Sequence, residues 1–418
     1  MNKILVLIAK VRVWGVAGIL SFIKRELNTR VHRRKLLKLH RASQTRNPKR
    51  GITIVGDLTC RPALSKTLRD FVLSLKDIGI PVQTYDTSWE RQIPDKDICD
   101  LITPENEFDI HRYTNFVIMY RSPLTKEITA GHRVARIVFH DSAHGINSTM
   151  PYLKESGDEI IAMSDFNYEY FLKAFPTQKV WKIAYPFRFK LNNATPREDL
   201  RRKYGIKPDD FVVFFNFDFG SYYRKNIPAS LEAFALAFKG EENAKLIFKT
   251  KAANENKNQL AEMEAKVKEL GIESQFIHIA TYLPRADLDG LTGASDVYLS
   301  LHKSEGFGLG MAEAMSQAKP VVATNWSANT EFCHPDTAWC IPYKMVPILP
   351  HEYPPSMIEW AQADIGEAAN MLREISLDKE SAKRRALEGK KFIENYYSLD
   401  HFKRDVDSFL SERKDDVI

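Results

Sequence analysis

The segment SLHKSEGFGLGMAEAMSQAKPVVATNW, residues 300–326, decides the fold, because a strand, a loop and a helix follow one another within it. The apolar run DVYLSL, at 296–301, predicts a buried strand that leads into it. A helix is predicted from Met311 to Gln317. Between the two lie three closely spaced glycines: Gly306, Gly308 and Gly310. In this order of elements, backbone N–H groups at the start of the helix point toward a bound phosphate. The glycines let the anion approach the backbone closely. We therefore expect a diphosphate at the helix start.

Short apolar strands alternate with helical patterns on both sides of this segment. In the second half of the chain the predicted strands are 211–217, 245–250, 275–280, 296–301 and 320–325, with helices such as 228–238 and 256–269 between them. In the first half the predicted strands are 52–56, 81–86, 116–120, 136–140 and 159–163. The alternation predicts an α/β protein with two doubly wound parallel sheets, in which ligands bind outside the carboxyl ends of the strands.

The pattern divides the chain into four parts. We predict a basic amphipathic arm at 1–50, a first Rossmann-like domain at 51–190 and a second at 196–390, with a polar linker between the domains. Residues 391–418 are predicted to be helical and to cross back to the first domain. The sequence WAQADIGEAANMLREI, at 360–375, is also interpreted as helix. Two such domains facing each other would hold a ligand in a central cleft.

The arm is strongly basic, whereas the rest of the chain is acidic. Residues 1–50 hold 14 Lys or Arg and one acid, and the remaining residues hold 46 bases and 53 acids. This asymmetry predicts an anionic partner for the arm. Its apolar stretch, 13–23, has 11 residues, whereas spanning a bilayer needs roughly 20. A secretion signal would have a small-residue cleavage site after this stretch, but Lys24 and Arg25 follow it instead.

Three interpretations of the arm stay open. A short apolar stretch followed by dense Lys and Arg favours an interfacial helix on an anionic membrane surface. That placement predicts a cytoplasmic protein, peripheral at the inner membrane face. A solvated or core-packed helix is the alternative. Nucleic acid is disfavoured as the partner, because the arm lacks aromatic residues interleaved with its Lys and Arg residues, and such aromatics would stack on nucleobases.

No metal site is predicted. Four cysteines form neither a C-x-x-C pair nor a zinc spacing, which fits a reducing cytosol: Cys60, Cys99, Cys333 and Cys340. Asp287-Leu288-Asp289 has the D-x-D pattern of a metal site, but it lies at the start of a predicted helix, where acidic residues are common.

Glu305 and Glu313 flank the glycines. A hydrolase acid/base pair lies roughly 5 to 9.5 Å apart. Eight residues of helix would span on the order of 12 Å. The spacing therefore favours two carboxylates that hold different parts of one long ligand. Ionised carboxylates are strong acceptors for hydroxyl groups, and a nucleotide sugar has hydroxyls at both ends.

The spacing Glu305-Gly-Phe-Gly-Leu-x-x-x-Glu313 resembles the E-x7-E signature of retaining GT-B glycosyltransferases of family four. The flanking sequences KPVVATNWSANTEF and RKNIPASLEAFALAF, residues 319–332 and 224–238, are similar to the bacterial polysaccharide-assembly branch. The resemblance covers about residues 51–410 and implies a GT-B fold and a nucleotide-diphosphate sugar as donor. It implies no metal and no further cofactor.

The resemblance also implies roles for single residues. Glu305 would contact hydroxyls of the transferred sugar, and Glu313 would hold the ribose. The amides of four consecutive residues would bind sugar and phosphate oxygens: Gly306, Phe307, Gly308 and Leu309. Lys225, with Arg224, would neutralise the leaving diphosphate, where fixed cations stabilise the developing charge. Lys249, at the end of a predicted strand, is a third candidate cation.

In related enzymes a histidine after the fourth strand meets the reacting sugar, which makes His140 a catalytic candidate, with His144 behind it. Two features depart from the family pattern. Asp218-Phe219 stands where relatives often have Gly-Arg, and the loop at 56–62, normally glycine-rich, is GDLTCRP.

The prediction is thus a retaining hexosyltransferase that acts on a hydroxyl of a glycan or lipid-linked glycan. A sugar-nucleotide epimerase of GT-B fold and a non-catalytic carbohydrate-binding subunit remain alternatives.

Overall fold

The computed structural model describes residues 23–24, 26–60, 63–88, 96–119, 123–139, 153, 156–188, 194–251, 253, 256–349, 352 and 359–411. These residues form two compact units. Unit 1 contains the described residues up to 188 and those from Tyr397 onward, and unit 2 contains those from 194 to Tyr396. Among the described helices, none is both long and apolar enough to cross a bilayer.

Unit 1 is built on a six-stranded parallel sheet. Its strands are β1 (Lys49–Gly56), β2 (Val82–Asp86), β3 (Tyr113–Met119), β4 (Arg133–Ile137), β5 (Glu159–Ala162) and β6 (Val180–Lys182). They pair in the order β2-β1-β3-β4-β5-β6. Five of them correspond to apolar runs that predict strands. The sixth, β6, has three residues and is too short to show a period.

The helices of this part of unit 1 are α1 (26–42), α2 (Ala63–Asp77), α3 (Lys96–Cys99), α4 (Lys126–Thr129) and α5 (Asp165–Ala174). Most of α1 lies within the predicted arm, yet it packs on the sheet. Leu36 is fully buried and joins a core cluster with Val55, Phe116 and Ile118. The described part of the arm is therefore partly a core element, and β1 already begins at Lys49.

Unit 2 has a second six-stranded parallel sheet. Its strands are β7 (Phe211–Asp218), β8 (Ala244–Lys251), β9 (Phe276–Ile279), β10 (Val297–Ser300), β11 (Val321–Thr324) and β12 (Trp339–Ile341). They pair in the order β12-β11-β10-β7-β8-β9. The carboxyl ends of β7, β10 and β11 therefore lie side by side, and the segments that follow them meet at one edge.

Seven helices of unit 2 are described: α6 (Arg197–Lys203), α7 (Ile227–Phe238), α8 (Lys257–Leu270), α9 (Arg285–Ala294), α10 (Leu309–Ser316), α11 (Ile365–Leu377) and α12 (Lys379–Tyr396). A small antiparallel hairpin, β13 (Tyr343–Pro347) with β14 (Glu359–Ala363), precedes α11. The helix prediction for 360–375 is wrong at its start, because Trp360 is buried in β14 and Asp364 caps α11.

After α12 the chain returns to unit 1 as α13 (Leu399–Ser411). Three side chains at helical spacing, Phe402, Val406 and Phe409, are buried there. The carboxylate of Asp405 accepts a hydrogen bond from the N–H of Ala184 at 2.7 Å. Unit 1 is thus assembled from two segments that are distant in sequence.

Candidate active site

The candidate site lies at the carboxyl edge of the unit 2 sheet, where the glycine loop leaves β10 and enters α10. Gly308 caps α10 with a left-handed backbone at a φ of 97°. A Cβ on Gly310 would lie 2.2 Å from Oη of Tyr298, a buried side chain, so only glycine fits there. Because the first N–H groups of a helix have no acceptor within it, this tight turn offers donors to an anion.

Glu305 is a buried and ionised carboxylate, with 6% of the residue exposed. Its Oε1 pairs with Lys225, and its Oε2 lies 3.3 Å from Nη1 of Arg224. Burial alone would raise the pKa of Glu305, but the attraction of Lys225 and Arg224 outweighs burial and lowers the pKa to about 2. Glu305 therefore stays negatively charged at any physiological pH.

The two cations are positioned by the segment that follows β7. A 3-10 turn, Phe219–Ser221, ends the strand, and the chain then runs back toward the glycine loop. Nη1 of Arg224 donates a hydrogen bond to the carbonyl of Ser304 at 2.8 Å. This backbone contact fixes Arg224, and with it the adjacent Lys225, against the loop that carries Glu305.

Glu313 lies on the second turn of α10 and faces α9. Nη2 of Arg285 lies 2.7 Å from its Oε1, and the same guanidinium binds both oxygens of Asp289 at 2.8 and 2.9 Å. Glu313 and Asp289 are 8% and 7% exposed. Burial would lower the pKa of Arg285, but the two carboxylates outweigh it and raise the pKa above its usual value. Glu305 and Glu313 therefore have separate cationic partners, and no motif in the sequence pointed to Arg285.

A buried polar network lies beneath the glycine loop, and no sequence motif indicates a role for its histidine, His302. His302 is fully buried, and its Nε2 lies 2.9 Å from Oδ1 of Asn329. Oγ of Ser327 accepts a hydrogen bond from the N–H of Glu305 at 2.8 Å. Since Ser327 and Asn329 follow the neighbouring strand β11, only the tertiary fold brings them under the loop.

Lys249, the third candidate cation, and Glu331, in the short 3-10 segment that follows β11, make other contacts. Nζ of Lys249 donates to the carbonyl of Thr250 at 3.0 Å. Burial, and then repulsion from Lys251, lowers the pKa of Lys249. Lys249 lies near the carboxyl end of β8, whereas Glu305 follows β10, and β7 separates these two strands. Glu331 accepts a hydrogen bond from Oη of Tyr396 at 2.8 Å.

His140 and His144, the predicted catalytic histidine and its neighbour, lie outside the described residues. The same holds for Arg61 and Pro62 of the loop at 56–62.

The acidic side chains of the D-x-D pattern have partners of their own. Asp287 accepts from Oγ1 of Thr195 at 2.6 Å and from Nζ of Lys203 at 3.1 Å, and Asp289 pairs with Arg285. In the described part of the chain no three His, Cys, Asp or Glu side chains are grouped as metal ligands.

Residues 196–344 match the family described as glycosyl transferases group 1. A protein of Bacillus subtilis (strain 168), named "Putative glycosyltransferase EpsD", is 28% identical over 151 residues, which cover 36% of this chain and 37% of that protein. The match thus spans just over a third of the length of this curated relative.

Solved structures resemble the chain over more of its length. A glycosyltransferase from Rickettsia africae has a TM-score of 0.64 at 16% identity, covering 87% of this chain and 98% of its own. HepE of Anabaena, in complex with UDP and glucose, has a TM-score of 0.59 at 15% identity, covering 87% and 100%. Sucrose-phosphate synthase from Thermosynechococcus elongatus has a TM-score of 0.62 at 14% identity, covering 87% and 98%.

These likenesses confirm the predicted fold, GT-B with two Rossmann-like units and a helical C-terminal segment. The family match confirms the glycosyltransferase resemblance, and it includes the glycine loop, both glutamates and the two cations after β7.

Proposed function

We propose that the chain is a glycosyltransferase that moves a hexose-type sugar from a nucleotide-diphosphate sugar to a hydroxyl of a glycan or lipid-linked glycan, with retained anomeric configuration, in polysaccharide biosynthesis. One observation carries the proposal: a buried, ionised Glu305 is held by Arg224 and Lys225 beside a glycine loop that opens a helix. The arrangement lies within the segment that matches the glycosyltransferase family.

Each group has a chemical task in this proposal. Glu305 accepts hydrogen bonds from hydroxyls of the sugar, and the amides of 306–309 bind sugar and phosphate oxygens. Glu313 binds the ribose. Lys225 keeps N–H donors beyond the one used on Glu305, because an ammonium has three, and Arg224 adds a second positive charge beside it. Those donors stabilise the charge that develops on the leaving diphosphate, and Lys249 is a further candidate for that task.

The reaction needs no nucleophilic side chain. The oxygen of the acceptor hydroxyl forms a bond to the anomeric carbon while the bond from that carbon to the diphosphate oxygen breaks. The proton of the hydroxyl passes to the departing diphosphate on the same face of the sugar, which retains the anomeric configuration. NMR of the product tests this step, and an inverted linkage would refute it.

A thermal-shift screen with UDP-, GDP-, dTDP- and ADP-sugars identifies the donor. Ligand at a hundredfold excess over Kd stabilises the folded state by about 2.7 kcal/mol. The UDP and glucose bound to HepE favour UDP-glucose as the first compound to test. Glu305→Gln is expected to abolish the shift. Glu241→Gln is the matched control, since Glu241 pairs with Arg373 just before β8, at the opposite edge of the sheet.

The transfer assay then separates the alternatives. Donor-dependent glycosylation of an acceptor supports the proposal. Donor conversion without any acceptor would identify an epimerase, and donor binding without turnover would identify a carbohydrate-binding subunit.

We further propose that the chain acts at the inner membrane face and docks on anionic lipid through residues 1–50. The outer face of α1 and the residues just before it support this. Ile23, Leu27 and Val31 recur every four residues and are 46%, 54% and 52% exposed. Exposed cations continue along the helix: Arg30, Arg33, Arg34, Lys35, Lys38 and Arg41. An apolar stripe bordered by cations fits the headgroup region of an anionic bilayer.

Cosedimentation with vesicles tests the docking. The full chain is expected to bind vesicles that contain anionic lipid and not neutral ones, and Leu27→Glu with Val31→Glu is expected to weaken binding at least about tenfold. Leu377→Glu is the control, since Leu377 is 82% exposed on α11. Equal binding of both variants would refute the docking. Point variants are preferable to deleting 1–50, which would remove Leu36 from the core.

A further inference from the structure

Ser327 has a backbone conformation that side chains rarely adopt. It follows β11 and starts a short 3-10 segment, Ala328–Glu331, with φ 75° and ψ −158°. This region of backbone space is reached almost only by glycine, because a Cβ clashes with the adjacent peptide groups. The residue is 3% exposed, so surrounding contacts hold it in place. A strained non-glycine residue beside a candidate site calls for a compensating role.

The compensation is visible in the contacts of Glu305. Its N–H donates to Oγ of Ser327 at 2.8 Å, and its carbonyl accepts from the N–H of Ala328 at 3.2 Å. Both backbone polar groups of Glu305 are therefore held by two consecutive residues of another loop. Because a side chain starts from its backbone, these contacts also fix the direction in which the Glu305 carboxylate leaves the chain.

Hydrogen bonds around Ser327 are directional. Nδ2 of Asn329 donates to the carbonyl of Thr324 at 2.9 Å, so Oδ1 of Asn329 is an acceptor. That oxygen faces Nε2 of His302 at 2.9 Å, which therefore carries a proton, and it faces Oγ of Ser327 at 3.4 Å. Nδ1 of His302 lies 3.0 Å from Oγ and 3.1 Å from the carbonyl oxygen of Ser300. The hydroxyl of Ser327 thus points to Asn329 and leaves its lone pairs for the amide of Glu305.

We propose that Ser327 is a positioning residue for Glu305, and that its strained backbone is retained because this conformation brings its hydroxyl to the Glu305 amide. The inference rests on the proposed function of Glu305. It concerns a loop outside the glycine segment, and it assigns to the hydroxyl of Ser327 an effect on donor turnover.

Two substitutions separate the hydroxyl from the strain. Ser327→Ala removes the hydroxyl and keeps the strained Cβ, whereas Ser327→Gly removes both. If the hydroxyl positions Glu305, both variants lose about 5- to 10-fold in kcat/KM for the donor, as expected for one lost hydrogen bond. The Gly variant is expected to melt at or above the temperature of the Ala variant, since the strain is gone. The value of kcat/KM would then depend on the presence of the hydroxyl, whereas the melting temperature would depend on the backbone strain.

A purely structural role would give another pattern. Ser327→Gly would then keep the kcat/KM of the unchanged chain at temperatures well below melting, and this result would overturn the proposal. Ser295→Ala is the control, because Ser295 is fully buried in the same unit and its Oγ donates to the carbonyl of Thr292 at 2.8 Å. That control is expected to keep full kcat/KM.

Glu305→Gln, measured in the same assay, distinguishes failure of this proposal from failure of the proposed function. If Glu305→Gln keeps full transfer activity, the function of Glu305 and the role of Ser327 are both refuted. If Glu305→Gln is inactive while Ser327→Gly is fully active, only the role of Ser327 is refuted.

Discussion

Arg285 supplies the counter-charge of two buried carboxylates, Asp289 and Glu313. Arg285→Met would remove the cation that both acids share, and Glu313 would lose a contact that holds its orientation. If Glu313 binds the donor equally in the ground and transition states, the variant raises the donor KM about 3- to 30-fold and leaves kcat nearly unchanged. Steady-state kinetics with varied donor concentration measures this split.

Arg373→Met is the matched control for that prediction. Arg373 is 43% exposed, as Arg285 is, and it also pairs with a glutamate, Glu241. The control is expected to keep the donor KM. A KM change of equal size in both variants would show that the effect of Arg285 is one of general stability.

Gly310 allows α10 to begin close to Tyr298. In Gly310→Ala the new Cβ would lie 2.2 Å from Oη of Tyr298 and 3.1 Å from Oδ1 of Asn216, so the first turn of the helix must shift. Overpacking of this kind costs about 1–3 kcal/mol and would also move the glycine loop. Denaturant unfolding and donor binding measure the two effects. Adding Tyr298→Phe removes the clashing oxygen and is expected to restore part of the stability and part of the donor binding. No recovery of either would contradict the clash with Oη of Tyr298 as the cause.

At the scale of single residues, functional side chains can be predicted from the sequence when they lie within one short motif. Glu305 and Glu313 flank three glycines, so their chemistry is visible in a single segment. Arg285, Ser327 and Asn329 are functional candidates for which no such signal exists. Their contacts are made across neighbouring strands and helices, and a strained φ cannot be inferred for a serine from its neighbours.

At the element scale, long apolar runs predict strands reliably because a strand covered on both faces needs apolar side chains throughout. The run 211–217 became β7 in this way. Strands of three residues, such as β6 and β12, have no detectable period. The sequence that begins at Trp360 has the composition of a helix, yet it starts as β14 because pairing with β13 and burial of Trp360 override propensity.

Three histidines connect α1 to the unit 1 sheet. Nδ1 of His132 lies 3.0 Å from the carbonyl of Tyr113, which can only accept, so this nitrogen carries the proton. Nε2 of His132 then accepts from Nδ1 of His111 at 2.8 Å, and Nε2 of His111 accepts from Nδ1 of His40 at 2.7 Å. The chain of hydrogen bonds is complete when all three rings are neutral. A proton on either acceptor nitrogen would break one bond.

Acid is therefore expected to loosen α1. Burial, and then repulsion from His40, lowers the pKa of His111, although Asp109 opposes this. The unfolded chain consequently binds more protons near the usual pKa of 6.5, so this stabilisation is complete above that pH and is lost as the pH falls below it. Loss of one hydrogen bond, about 1 kcal/mol, predicts roughly 5-fold weaker amide protection of 26–42 at pH 5.5 than at pH 7.5.

Hydrogen exchange corrected for the intrinsic pH dependence measures this protection. His111→Gln keeps a donor and an acceptor without titrating in this range, and it is expected to reduce the acid sensitivity. His401→Gln, in α13, is the control and should keep it. Equal protection of α1 at both pH values in the unchanged chain would rule out the histidine contacts as the cause.

At the scale of the whole molecule, unit 1 depends on the end of the chain. The ring of Phe402 lies edge-on to that of Phe71, with centroids 5.3 Å apart, and the guanidinium of Arg133 lies 4.1 Å above the ring of Phe409. Both phenylalanines are almost fully buried. Hydrophobic spacing at 402, 406 and 409 predicts an amphipathic helix, but the sheet that it covers is encoded more than 200 residues earlier. Hydrophobic spacing by itself does not identify that partner, although the C-terminal segment is predicted to cross back to the first domain.

Because α13 belongs to unit 1, we expect a substitution in α13 to lower the stability of unit 1 and bound donor to raise the stability of unit 2. Phe402→Ala should destabilise unit 1 by about 3–5 kcal/mol, whereas Leu399→Ala, at a position 41% exposed on the same helix, should change it by less than about 0.5 kcal/mol. If the donor binds within unit 2, saturating donor should still raise the melting of that unit in the Phe402→Ala chain. Calorimetry would then resolve an early transition that the donor does not move and a later one that it does. A single transition shifted by both the substitution and the donor would show that the units unfold as one, because binding to one part would then stabilise the whole.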